Sequence, residues 1–258
     1  MYKTNFKAPF LKKIDIEKFK GEKDQPSFNF VGALYPYNIG FLKKSFSITF
    51  DTPITVIVGE NGSGKSTLLE AIAEGCGFNT QGGNSNHLYG EKSNISSLTK
   101  KMKLIWLPKI RKGFFLRAQT FYKFSEHIDD LAKEDPSSYV PYGGKSLGEM
   151  SHGESFLAFF RNRLRPNELY IFDEPEGALS TSRQVEFLLM LKTLEVEKNC
   201  QIIIATHSPL IMAYPSAKLL QIKDGEFAEI KLEDAPNYQI MKGFYSNPDV
   251  FMQEVLRD

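Results

Sequence analysis

Residues Gly59 to Thr67 read "GENGSGKST". The glycines let successive backbone N–H groups curl toward one centre, and a lysine with two hydroxyl residues opens whatever follows. What flanks the stretch decides its meaning. Before it, "TVIVG" (Thr55 to Gly59) is a compact β-branched run, the pattern of a buried parallel strand. After it, "KSTLLEAIAEG" switches to helical spacing and stops at Gly75. Strand, glycine loop and helix N-terminus together form the setting in which G-x-x-x-x-G-K-[ST] cradles a polyphosphate. Gly59, Asn61, Gly62, Ser63, Gly64, Lys65, Ser66 and Thr67 are therefore candidate nucleotide-binding residues. Lys65 is expected to reach the β- and γ-phosphates, and the Ser66 hydroxyl to ligate Mg²⁺.

Two more apolar runs end in polar residues. "LYIFDEPEG" (Leu169 to Gly177) reads as a strand that delivers Asp173 and Glu174 at its C-terminal edge and is stopped by Pro175. There Asp173 is a candidate Mg²⁺ ligand and Glu174 a candidate for polarising the attacking water. "IIIATHSP" (Ile202 to Pro209) is a further buried strand, with His207 placed to bond a γ-phosphate or orient the water. "GEMSHGESFLAFF" (Gly148 to Phe160) reads as a helix start with Ser151 as N-cap and Glu154 closing a capping box. A capped helix N-terminus is also what a phosphate needs, so Ser151 and Gly153 are candidates for nucleotide contact.

These segments, in this order, resemble the ABC-type ATPase superfamily: "GENGSGKST" its Walker A, "MSHGES" its signature, "LYIFDE" its Walker B and "ATHS" its switch-histidine region. The resemblance implies ATP–Mg²⁺ hydrolysis at a shared interface, with Ser151 and Gly153 of one chain closing on the nucleotide of another. It therefore implies a homodimer on ATP binding. Gln119, in "FLRAQTF", stands where the family's Q-loop lies and is a candidate Mg²⁺ or water ligand. "EGALS" (Glu176 to Ser180) resembles the D-loop, with Ser180 where an aspartate is usual. His152 and Glu154 replace a glycine and a glutamine of the commonest signature, which is nearer the SMC and RecF branches and the compact bacterial OLD-like ATPases. Members of that wider branch act in DNA repair and in nuclease-associated defence. Only the residues between 65 and 151 separate cradle from signature, which leaves no room for coiled-coil arms.

The bulk properties are compatible. The 258 residues are 41% hydrophobic and 24% charged with a net charge of +1, a globular composition that argues neither for nor against a polyanionic partner. Cys76 and Cys200 make no CxxC, and four scattered histidines show no metal-ligand spacing. No signal peptide and no membrane span are read, so a cytoplasmic location without membrane insertion is expected. The expected fold is a single α/β domain over 1–258, an ABC-ATPase-like P-loop fold with a mixed central sheet, flanking helices and no long coiled coil. Residues 1–54 form an N-terminal antiparallel β region including "SFNFVGAL" and "SFSITF", and 75–147 an inserted loop and helical region.

Three function classes fit. The first is an ATP-driven switch for a nucleic-acid-linked or defence-type protein partner; the second, the nucleotide-binding subunit of an ABC membrane transporter; the third, a P-loop phosphotransferase. The third is disfavoured because a small kinase needs no signature, double acid and switch histidine together. Residues 92–123 are a candidate DNA or RNA contact: Lys92, Lys100, Lys101, Lys103, Lys109, Arg111, Lys112, Arg117 and Lys123 occur with no acid among them, and Trp106, Phe114 and Phe115 are interleaved. The same alternation also reads as a core strand with a solvated lysine face. Phe19, Tyr37 and Phe41 are candidates for stacking on adenine.

Overall fold

A computed structural model describes residues 6–17, 35–36, 38–84 and 95–257. Among these residues the chain forms two sheets. Strands β1 (Leu11–Ile16), β2 (Phe46–Thr49), β3 (Ile54–Gly59), β4 (Met102–Trp106), β5 (Gly113–Arg117), β6 (Leu169–Asp173), β7 (Gln201–Ala205), β8 (Lys218–Lys223) and β9 (Glu226–Ile230) alternate with helices α1 (Lys65–Gly75), α2 (Ser96–Lys101), α3 (Phe121–Glu134), α4 (His152–Arg163), α5 (Thr181–Lys192), α6 (Pro209–Met212), α7 (Pro236–Ser246) and α8 (Pro248–Val255). The central sheet runs β5-β6-β7-β3-β8-β9, parallel except for β9, which turns back on β8 at Asp224 and Gly225. The small antiparallel sheet runs β2-β1-β4.

The apolar runs alternate between two cores because strand side chains point to opposite faces in turn. Val56, Phe114, Leu116, Tyr170, Phe172, Ile202 and Ile204 face one core, shared with α3, α4 and α5. Ile57, Phe115, Leu169, Ile171, Ile203 and Ala205 face the other, shared with α1 and the small sheet. The first core is rich in rings, with Phe160 edge-on to Phe172 at 5.1 Å and Phe114 against Phe159 at 4.6 Å. Each such pair adds about 0.5–1.5 kcal/mol beyond its burial. α4 and α1, which carry the segments read as signature and cradle, thus pack on opposite faces of the sheet.

Four sequence expectations change here. The region 75–147 is more than loop and helix: β5 is the edge strand of the central sheet and β4 completes the small one, so the segment is woven into both layers. Gly75 closes α1, and the segment read as loop after it runs into α2 at Ser96. Phe114 and Phe115 point into the two cores and offer no face for a base to stack on, while Lys103, Lys109, Arg111 and Lys112 are exposed. Phe41 is fully buried against Phe46 and Phe227, so it is removed as an adenine platform. Phe19, Tyr37, Lys92 and "SFNFVGAL" lie outside the described residues. Among the described residues the longest helix, α3, has 14 residues, and no helix is long and apolar enough to cross a membrane.

Candidate functional site

The ends of β3, β6 and β7 converge, as parallel register requires of neighbouring strands. Beyond β3 the loop rises through the exposed Asn61 and Gly62 and re-enters at Gly64. Gly64 has φ 98°, and an added Cβ would come 2.5 Å from the Phe41 ring and 2.7 Å from Ile39. Only glycine fits that turn, which aims the N-terminus of α1 into the loop. Lys65 is 4% exposed and its ammonium donates to the Gly59 and Glu60 carbonyls at 2.8 and 3.0 Å. Burial lowers its pKa from the ordinary lysine value, against the opposing pull of Glu174, Asp173 and Glu176. Among the described residues Ser63 Oγ is buried with no hydrogen-bond partner, and Thr67 shares a 3.0 Å hydrogen bond with the Tyr35 hydroxyl. A cavity of about 430 Å³ beside the loop is lined by Gly59, Asn61, Ser63, Asp224 and Asn237 among others.

The Ser66 hydroxyl donates to Asp173 Oδ1 at 3.0 Å across 107 residues of sequence. On the other side of that carboxylate Arg117 Nε donates to Oδ2 at 2.8 Å, and its Nη2 reaches Glu70 Oε2 at 3.2 Å. Burial pushes the Asp173 carboxyl above the ordinary aspartate value, and Arg117 and Ser66 hold it back. For Arg117 itself burial works against the charge, and the two carboxylates overcome it, leaving the guanidinium above its ordinary value.

Glu174 follows in a left-handed conformation, φ 51° and ψ 54°, its N–H bonded to the Ala205 carbonyl at 2.9 Å. That conformation turns its carboxylate between two side chains: Gln119 Nε2 donates to Oε2 at 3.4 Å, and His207 Nε2 lies 3.7 Å from Oε1. Glu176 then ties the strand ends together, accepting from the Thr206 hydroxyl at 2.8 Å and the His207 N–H at 2.5 Å.

Ser66, Asp173, Glu174, His207 and Gln119 are therefore brought together, with Gln119 bonded to Glu174. Ser151 and Gly153 belong to a different neighbourhood. The Ser151 N–H and O–H both donate to Glu154 at 3.1 and 2.7 Å, and Glu154 pairs with Arg183. An added Cβ at Gly153 would meet Arg183 Cδ at 2.7 Å and the Ala178 carbonyl at 3.2 Å, so close packing against the segment before α5 is a reason of its own for glycine there.

A model of the "AAA domain" family matches residues 37–131, and a second, "AAA domain, putative AbiEii toxin, Type IV TA system", matches 149–213. The chain is thus similar to P-loop ATPases of the ABC type. It is 28% identical to the macrolide export ATP-binding/permease protein MacB of Neisseria gonorrhoeae, aligning over 71% of this chain and 30% of MacB. It is 25% identical to the thiamine import ATP-binding protein ThiQ of Haemophilus influenzae, over 77% of this chain and 98% of ThiQ. The ATPase thus spans less than a third of MacB but nearly all of ThiQ. A solved SMC head bound to the C-terminal winged-helix domain of ScpA aligns at 16% identity over 88% of this chain and 100% of that one, with a TM-score of 0.49.

Three residues of the site escaped the motifs. Arg117 looked like one of a basic series, Tyr35 stood outside the aromatic candidates, and Asn237 lies past the last motif. Each meets its partner only through the fold.

Proposed function

We propose that the ATPase closes as a homodimer around two ATP molecules and works as a switch for a protein partner in a nucleic-acid-linked or defence-type system, with 1–258 acting as one ABC-type unit. The observation that carries the hydrolytic part is the position of the Glu174 carboxylate between Gln119 and His207, next to Asp173. In this reading the N–H groups of the loop and Lys65 bind the polyphosphate, Glu174 takes the proton of the attacking water, and Gln119 and His207 hold that carboxylate and the transferring group in line. The residues fit a Mg²⁺ as well. Ser66 and Asp173 are a pair of hard oxygen donors, while among the described residues no group of three His, Cys, Asp or Glu forms a cage, as suits an ion shared with phosphates. Held there, such an ion would supply neutralisation of the negative charge on the transferring phosphoryl group.

Dimerisation is supported by the placement of α4 and α1 on opposite faces: the cradle lacks a second wall from its own Ser151, and a two-fold axis would supply two. The partner class is supported by the matched family's toxin–antitoxin description and by the exposed Lys103, Lys109, Arg111 and Lys112. A second reading, the nucleotide-binding subunit of a transporter, is favoured by the likeness to ThiQ along nearly its whole length.

The experiment is sedimentation of Glu174→Gln with and without ATP–Mg²⁺, repeated with a labelled nucleic-acid duplex. Turnover falls about a hundredfold or more, and ATP drives monomer to dimer. Normal turnover removes Glu174 as the base, and a monomer in ATP removes the shared site. Salt-sensitive co-sedimentation of the duplex makes nucleic acid the target; its absence leaves a protein or a membrane permease.

A further inference from the structure

Among the described residues His207 Nε2 is buried without a hydrogen bond, and the other ring nitrogen faces Asn237. Asn237, in the first turn of α7, donates from Nδ2 to the His207 carbonyl at 3.0 Å, and the same Nδ2 lies 3.4 Å from His207 Nδ1. The carbonyl accepts only, so it fixes which end of the Asn237 amide faces His207. The second N–H of that nitrogen then points at Nδ1. A donor facing Nδ1 requires a lone pair there, which places the proton of the neutral ring on Nε2.

We propose that Asn237 is a positioning residue that locks His207 in the tautomer protonated on Nε2, so that the ring presents an N–H toward Glu174 and the space beside it. This rests on the role proposed above for His207. α7 holds Asn237 firmly in place, since Pro236 starts the helix, Ala235 is buried behind it and Tyr238 packs on the core, while Asn237 itself lines the cavity beside the loop. The C-terminal helices are thereby part of the site, although the catalytic motifs end before them. With Nδ1 protonated instead, Nε2 would turn a lone pair toward the Glu174 carboxylate, and acceptor would face acceptor.

The test is long-range ¹H–¹⁵N correlation of the histidine rings in the full chain, at a pH well above the ordinary histidine range, with steady-state ATPase assays alongside. In the unaltered protein His207 shows the Nε2–H pattern. Asn237→Asp, whose carboxylate demands a donor, converts it to Nδ1–H. Asn237→Ala lowers kcat about three- to tenfold, the worth of one hydrogen bond, with KM for ATP unchanged; Asn237→Asp lowers it further. Adding Asn237→Asp to His207→Ala costs nothing more, because the two act as one unit. An Nδ1–H pattern in the unaltered protein overturns the proposal, as does a tautomer that ignores Asn237→Asp. A His207→Ala variant of normal activity instead refutes the role given to His207, and the ring spectra then still decide what Asn237 does.

Discussion

Replacing Arg117 with methionine keeps most of the side-chain volume and removes the charge between Asp173 and Glu70. The three side chains are 14%, 3% and 10% exposed, so this is a buried triad, and deleting the guanidinium removes the cation that both carboxylates bond. Breaking a buried pair in this way costs about 3–5 kcal/mol, a large fraction of the net stability of a domain. The loss depends on pH in a direction that follows from the site. Burial already raises the Asp173 pKa, and Arg117 is the first group opposing it. Without Arg117 the folded-state value rises further above the unfolded one, about 3.9. A group raised in this sense gives stability that is fully present below the unfolded pKa and is lost as pH rises through the folded one. Urea unfolding of Arg117→Met, followed by circular dichroism across a pH series, is therefore expected to show its smallest deficit in acid and its full deficit at neutral pH. Adding Asp173→Asn recovers part of it. A neutral-pH stability within about 0.5 kcal/mol of the unaltered protein, or a deficit that does not change with pH, refutes the argument.

Two other outcomes are expected. Gly153→Ala trades a close approach to Arg183 and Ala178 against the better helix propensity of alanine, so stability to urea changes by about 1 kcal/mol or less. ATP-driven dimerisation measured by sedimentation is lost, and an intact dimer removes Gly153 from the nucleotide contact. Burial pushes the Cys76 thiol up to about 12 and the Cys200 thiol up to about 11. At about pH 9 roughly one per cent or less of either is thiolate, so iodoacetamide labels the folded protein slowly at both positions. Cys76 is only half-buried, so rapid labelling there contradicts the raised pKa rather than reporting access.

The cradle was legible because strand, loop and helix N-terminus are contiguous, and their spacing is the chemistry. The acids after β6 and His207 after β7 were legible for a related reason: a buried strand flanked by turn signals announces where its C-terminal edge lies. Arg117 was not, since its partners stand 47 and 56 positions away and its neighbours in sequence, Leu116 and Ala118, are buried apolar residues that announce no ion pair. Phe114 and Phe115 misled because a strand buried on both faces loses the alternation that marks which side is wet. β4 and β5 are adjacent in sequence yet join different sheets, a choice made by their partners rather than by their own residues.

Glu174 sits where a chain selected only to stay folded would carry glycine or asparagine. A left-handed backbone at a non-glycine residue costs about 1–2 kcal/mol, and Pro175 works against it too, since the residue before a proline is biased toward the extended region. With the role proposed for Glu174, thermal robustness and turnover pull this one position in opposite directions. Relatives that had given up hydrolysis would be free to settle the conflict in favour of stability, and the residue at the end of β6 would be the first place to look for them.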